Sequence, residues 1–355
     1  MHERRLNILL RPAALLYGLV AAVRNALFDR GMLKAWKSPI PVVSIGNLTA
    51  GGTGKTPLVD WVLKYYLSIG CRPAVVSRGY GRRSKGVQLV SDGRNILLGS
   101  TRSGDETAML AANNPEAVVV VAEQRSEGVQ FIMERFRGER PDVIILDDAF
   151  QHRQLARDLD IVVINSREPF AAAKMLPEGR LREPKSGIGR ADVAVLSKIT
   201  DESKADAIEA ELTGSVALVA RTRVVIGELS PFGPKGRSTA PHPDPAGLKA
   251  LAFAGIASPA SFVESLMKKG VHVVEQRFFR DHEPYTLNNF LPLVEEARRK
   301  GLTLVTTEKD RYRLEGEPGL LEKTEGVGCC CLNIATGFTR GAEKLQEMLK
   351  AVVRD

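Results

Sequence analysis

A chain of 355 residues is longer than one typical domain and can bury a large core. Its 50 Lys and Arg against 42 Asp and Glu leave a net charge of +8, which suits an anionic membrane or an anionic substrate. No zinc-finger spacing, RNP aromatic motif or basic helix repeat accompanies that charge, so nucleic acid ranks last and none is expected as a partner.

The first element is apolar. Pro12 to Val23 is too short to span a bilayer, which takes about 20 residues. No small-residue cleavage site follows it, so it is not read as a signal peptide. Arg4, Arg5, Arg11, Arg24, Arg30, Lys34 and Lys37 surround it. A basic-flanked apolar helix can lie in the interface of an anionic leaflet. Residues 1–37 are therefore expected to form an amphipathic membrane-associated segment; an ordinary core helix is the alternative.

Pro41 to Ile45 is a short β-branched run that reads as a buried strand. It leads into Gly46-Asn47-Leu48-Thr49-Ala50-Gly51-Gly52-Thr53-Gly54-Lys55-Thr56. Glycines let such a loop turn backbone N–H groups onto phosphate oxygens. Lys55 then reaches the β/γ-phosphates, and the Thr56 hydroxyl can ligate Mg²⁺. Residues 49–56 (Thr49, Ala50, Gly51, Gly52, Thr53, Gly54, Lys55 and Thr56) are the expected ATP site. Thr49 departs from the strict motif, which has Gly there. Leu58, Val59, Val62, Leu63, Tyr66 and Leu67 then recur at helical spacing. Strand, glycine loop and helix make the arrangement a nucleotide phosphate site needs.

From there to about residue 222, apolar runs near 73–77, 117–122, 142–147, 160–164, 192–197 and 215–220 alternate with helical stretches. Strands apolar on both faces belong to a helix-covered parallel sheet. Ser77-Arg78-Gly79-Tyr80 leaves a strand end, a place for sugar or phosphate contacts; Asn47, Arg78 and Tyr80 are substrate candidates. Ser103-Gly104-Asp105-Glu106 precedes a helical stretch. Acids suit a helix start, and on the residues alone that reading outweighs a catalytic one. Asp147 and Asp148 end a strand where a P-loop enzyme holds its metal. Pro177 to Pro184 is a charged loop in which Arg182 could face a transferring phosphate and Glu183 could add a metal ligand; a solvated loop explains it equally well.

Glycines and prolines crowd residues 227–247, which reads as a linker. A second α/β unit follows, with strands near 250–254, 271–274, 302–306 and 328–333, helices near 259–269 and 286–300, and a last helix at about 340–352 that could pack on either domain. Asp281-His282 precedes Pro284 in a loop; a lone His is more often structural, yet a hydroxyl kinase needs a proton acceptor. The strand-like run Cys329-Cys330-Cys331 alternates faces and so cannot cage a metal. With no C-x-x-C present, a reduced cytosolic setting and core packing are expected for the cysteines. The expected division is 1–37, 38–222 as a P-loop NTPase-type kinase domain, 223–247 as linker, and 248–355 as a smaller α/β domain.

Taken together, Gly46 to Pro57, Ser77 to Gly81, Gly104-Asp105-Glu106, Leu146-Asp147-Asp148-Ala149-Phe150-Gln151-His152, Leu181-Arg182-Glu183 and Asp281-His282 resemble the tetraacyldisaccharide 4′-kinase (lipid A 4′-kinase) family of Gram-negative bacteria, over about 12–312. Thr49 fits that family's loop; Ala149 stands where Gly is frequent. The resemblance implies an ATP- and Mg²⁺-dependent kinase acting on the 4′-hydroxyl of an acylated disaccharide 1-phosphate. It implies Asp105 as base supported by His282, Lys55 and Arg182 on the transferring phosphate, and Thr56, Asp148, Asp147 or Glu183 on the metal. With Asp105 in the first domain and His282 in the second, their pairing would need the domains to close over ATP. The implied location is the cytoplasmic face of the inner membrane, peripheral or monotopic, as a monomer. Two rivals remain. A switch GTPase needs [NT]-K-x-D, and Ser197-Lys198-Ile199-Thr200-Asp201 places the acid one residue late. A deviant P-loop partitioning ATPase shares the Gly-Gly-x-Gly-Lys-Thr core but wants a lysine where Ala50 stands.

Overall fold

Runs rich in Val and Ile set the strands, and the computed structural model bears this out. It describes residues 2–168, 170, 173–238 and 240–354, with backbone alone for 2–9 and Arg237. The side chains of Arg4 and Arg5 thus lie outside the described residues. The chain folds as two compact units.

The first unit comprises Met1–Arg78, Glu116–Val224 and Thr336–Asp355. Its strands lie in the order Val118–Val121, Pro73–Ser77, Val143–Asp147, Val42–Gly46, Leu159–Asn165, Val193–Ser197 and the first part of Leu218–Gly233. Each runs parallel to its neighbour. Every residue of the six complete strands is buried, as a sheet covered on both faces requires. Strand 42–46 is central, so the loop leaving it lies beside the carboxyl end of 143–147, where open α/β sheets collect ligands. Helix Lys55–Ser68 buries Leu58, Val59, Val62, Leu63 and Tyr66, with Leu67 half-buried. The last helix, Ala342–Val352, belongs to this unit; the Tyr65 and Tyr66 hydroxyls donate to Gln346 O (2.8 Å) and Leu349 O (2.9 Å).

The N-terminal helix His2–Asp29 packs one side and bares the other. Ala14 is buried and Gly18 faces Met175, whereas Leu15, Leu16, Leu19, Val20 and Val23 are 51–75% exposed. Among the described residues no helix is long and apolar enough to cross a membrane.

The second unit joins Val225–Ala335 to Gly79–Pro115. Strands His272–Phe278, Lys249–Ala254, Thr303–Thr307 and the first part of Cys329–Arg340 are parallel neighbours. Helices Pro259–Lys268 and Leu287–Lys300 flank them, the latter started by a capping box between Thr286 and Asn289. The three consecutive cysteines alternate as the strand period demands: Cys329 and Cys331 enter one core cluster, Cys330 another. All are free thiols, and burial pushes the Cys329 thiol up to about 12.

Two expectations about organisation differ from the structure. Residues 223–247 are not a linker throughout. Strand Leu218–Gly233 continues to a hairpin with Gly236–Arg237, and Leu229, Ser230 and Phe232 are buried. Gly227 is glycine because a Cβ there would press Asn333 O at 3.1 Å; it serves close strand packing, not flexibility. Residues 79–115 belong to the second unit rather than the first. Helices Ser100–Ser103 and Asp105–Asn113 pack on helix Glu308–Glu315; Ser100 Oγ donates to Tyr312 O (2.5 Å), and Thr101 Oγ1 donates to Gly316 O. Small residues allow that approach, and no composition change marks it.

Candidate active site

In the first unit, the glycine loop is fixed from several sides. A Cβ on Gly46 would lie 2.5 Å from Phe150 N, so only glycine lets the chain leave the strand there. Gly51 and Gly54 have φ of 113° and 87°, left-handed values that glycine alone adopts freely. Asn47 is fully buried; its Nδ2 donates to Thr49 O and to Thr53 Oγ1 (3.1 Å). It braces the loop from beneath. Arg78 and Tyr80 are exposed, as contact residues must be.

The charged loop is sewn to the glycine loop. Ala50 N donates to Arg180 O (2.7 Å), Arg182 N donates to Leu48 O (2.7 Å), and Thr49 bridges Leu181. This delivers Arg182, whose Nη1 meets Asp148 Oδ1 at 2.8 Å; Lys55 Nζ meets the same oxygen at 3.4 Å. Burial would raise the Asp148 carboxyl, but Lys55 and Arg182 outweigh it and hold it below its usual range. Asp148 has φ 50°, a strained value that aims it off the end of its strand. Asp147 is nearly buried and accepts the Ser77 hydroxyl at 2.8 Å, leaving Asp148 the more open of the two. Thr56 lies in the first turn of helix 55–68, half-buried.

Glu183, an expected metal ligand, is nearly buried and hydrogen-bonded. Its Oε2 accepts from Asn25 (2.7 Å) and Arg190 (2.8 Å), and its Oε1 from Gln151 (2.8 Å). These contacts tie it to the N-terminal helix, Gln151 and Arg190. Arg125, not singled out from sequence, is 2% exposed and donates to Asp147 O through Nη2 (2.9 Å) and Nε (3.2 Å). The signal was slight: an arginine four residues past the end of strand Val118–Val121, opening helix Arg125–Arg135. His152 is held neutral, at about 4, first by burial and then by Arg125.

The second unit carries a separate cluster. Gly104 (φ 86°) admits no side chain, since a Cβ would lie 2.8 Å from Tyr80 O. Asp105 follows at the start of its helix, 6% exposed. Its Oδ2 lies 3.3 Å from His282 Nδ1 and accepts from Arg313 Nη2 (2.7 Å) and Nε (3.2 Å). Its Oδ1 accepts from Glu106 N at 2.9 Å. His282 Nε2 is 2.9 Å from Lys309 Nζ, which also pairs with Glu106 (2.9 Å). Burial would raise the Asp105 carboxyl, but His282, Lys309 and Arg313 push it well below the carboxylate range. The cluster opens on a cleft that Tyr80 also lines, with its ring 4.6 Å from that of His282. Asp105 and His282 thus share one unit and already touch, so no domain closure is needed to pair them. Asp148, Lys198 and His282 are the only non-glycine residues of positive φ among those described.

Known proteins resemble this chain along its whole length. A family model described as Tetraacyldisaccharide-1-P 4′-kinase matches residues 6–354. The tetraacyldisaccharide 4′-kinase of Chlorobium phaeovibrioides is 58% identical over 353 residues, covering 99% of both chains. That of Chlorobaculum tepidum is 51% identical and covers 100% of both. The crystal structure of LpxK from Aquifex aeolicus in complex with ATP superposes with a TM-score of 0.78 at 30% identity, covering 98% of this chain and 99% of that one. The chain belongs to the tetraacyldisaccharide 4′-kinase family.

Proposed function

We propose that the chain transfers the γ-phosphate of ATP to the 4′-hydroxyl of a tetraacyldisaccharide 1-phosphate, forming lipid IV-A in lipid A biosynthesis. The observation that carries this reading is the buried Asp105–His282 contact of 3.3 Å in a chain that also builds a phosphate loop. A partitioning or switch ATPase activates water beside its nucleotide and has no use for a second proton-accepting cluster. Phosphoryl transfer to an alcohol does.

In this mechanism the loop N–H groups and the start of helix 55–68 bind the phosphates. Lys55 and Arg182, now paired to Asp148, turn to the transferring group and offset its charge. Asp105 is a weak base alone, since its hydrogen bond with His282 and the cations Lys309 and Arg313 hold its charge. The proton of the attacking hydroxyl therefore goes to the Asp105–His282 pair as a unit. Asp105 orients the imidazole and stabilises the charge it gains, while Lys309 yields Nε2 to the acceptor.

Among the described residues no three His, Cys, Asp or Glu side chains converge as a metal cage. Mg²⁺ in a nucleotide site needs only one or two carboxylates beside phosphate oxygens. Asp148 and the Thr56 hydroxyl fit that need, with Asp147 behind. When bound, the metal supplies charge neutralisation and orients the phosphates.

The bare face of helix 2–29 supports docking on an anionic leaflet, where an acylated substrate resides. Arg30 and Lys34 add exposed charge at its end. This supports a peripheral position on a membrane; the cytoplasmic face of the inner membrane is the one that, in this reading, supplies ATP. The test is transfer of label from γ-labelled ATP to the glycolipid. We expect labelled product from wild type and a loss of at least about 10²-fold in Lys55→Ala with its fold retained. ATP hydrolysis without labelled glycolipid would favour the partitioning ATPase.

A further inference from the structure

The motif that failed as a guanine reader has a different use. Asp201 lies one residue late because it caps a helix: its Oδ1 accepts from Ser203 N (3.0 Å) and Lys204 N (3.3 Å). The two residues ahead of it turn to the phosphate loop. Ser197 ends its strand, nearly buried, with Oγ 2.6 Å from Thr53 O and 3.2 Å from Ile164 O; its single proton goes to the nearer. Lys198 takes φ 59°, a strained value for a side chain of its kind, and its Nζ donates to Gly52 O at 2.6 Å. Its stem lies along the loop, since a Cβ on Gly54 would come 3.7 Å from Lys198 Cε and 3.6 Å from Ser197 Cβ.

We infer that Ser197 and Lys198 are positioning residues that clamp the phosphate loop in its ATP-receptive form, by anchoring the outward carbonyls of Gly52 and Thr53. The reason is peptide planarity. A carbonyl and the next residue's N–H share one rigid plane and point in opposite directions. Holding Thr53 O outward fixes the N–H of Gly54 on the inner side, and holding Gly52 O fixes that of Thr53, which meets Gly51 O at 3.0 Å. A glycine-rich loop has no side chains of its own to resist a peptide flip, so the restraint has to come from outside it. Asn47 supplies it from beneath, and Ser197 and Lys198 from the flank. Neither has to touch the transferring phosphate. A loop held in its bound form loses less freedom on taking up ATP, so the clamp acts on nucleotide affinity.

This inference rests on the ATP reading of the loop, and the test separates the two. ATP binding to the full chain is titrated for wild type, Ser197→Ala, Lys198→Met and Lys198→Arg, alongside KM and kcat for ATP and for the glycolipid. Lys198→Met keeps the stem and removes the ammonium. It should raise Kd and KM for ATP roughly 10-fold, with kcat and the glycolipid KM changed less than about 3-fold. Lys198→Arg should restore ATP affinity to within about 3-fold of wild type, because a cation again reaches Gly52 O. Ser197→Ala combined with Lys198→Met should lose less than the product of the singles, as two anchors of one loop must. An ATP Kd in Lys198→Met within about 2-fold of wild type overturns the clamp. So does a loss that falls equally on kcat and both KM values and is not rescued by arginine. A wild-type chain that takes up no ATP removes the nucleotide reading itself, and the clamp with it.

Discussion

Replacing Asp105 by Asn tests the proton-accepting pair most directly, because its stability and rate effects can be separated. Four donor groups converge on this carboxylate: Glu106 N, His282 Nδ1, and Arg313 Nη2 and Nε. An amide offers one oxygen and two hydrogens, so at least one buried donor loses its acceptor. Arg313 keeps Asp310, whose Oδ1 lies 2.8 Å from its Nη1, so the guanidinium is not stranded. The loss is that of an unsatisfied buried group, about 1–3 kcal/mol. For a domain of this size each kcal/mol lowers Tm by about 2–4 °C, so the variant stays folded at assay temperature. Asp105→Ala would be a poorer choice, since it removes the acceptor of all four donors at once. The rate effect should be larger: losing the general base removes about 10²–10⁴-fold in kcat. The assay is single-turnover transfer of label to the disaccharide, well below each variant's Tm, for wild type, Asp105→Asn, His282→Gln and the double variant. The double variant should be little slower than the slower single, as expected of groups acting as a unit. A lowered Tm with kcat within about 3-fold of wild type would make the cluster structural, and strictly multiplicative losses would refute the pair.

Two further outcomes follow from the same coordinates. Changing Leu15, Leu16, Leu19 and Val20 to Ser leaves Ala14 and Gly18 packed, so the fold should persist while binding to anionic vesicles falls at least about 10-fold; unchanged sedimentation with vesicles would place the membrane contact elsewhere. Burial and then Arg125 hold His152 at about 4 against 6.5 in the unfolded chain, so the unfolded state binds the extra proton between those values. Stability from this group is therefore intact above pH 6.5 and falls as pH drops toward 4, by at most about 3 kcal/mol. Denaturant titrations of wild type and His152→Gln from pH 7 to 4 isolate this: the difference should open on acidification, and parallel curves would contradict it.

What the sequence alone determined is what depends on neighbours in the chain. The strand runs, the glycine loop and the helix after Lys55 were legible because side-chain period and glycine's backbone freedom act within a few residues. The alternation of Cys329, Cys330 and Cys331 between two cores followed from the strand period alone. Motif order was enough to name the family and to single out Lys55, Asp148, Arg182, Asp105 and His282. Partnerships between distant segments were decided only by the tertiary structure. Nothing near residue 105 announces that Arg313 will close on it, and residues 79–115 joined the second unit through small residues that no hydropathy scan weights. Glu183 was visible as an acid in a charged loop, but its meeting with Asn25, Gln151 and Arg190 was not. Asp201 looked misplaced until it proved to be a helix cap, which freed Lys198 for the phosphate loop. The physical reason is common to all of these: a polar group's role is set by which donors and acceptors burial forces upon it, and those arrive from far along the chain.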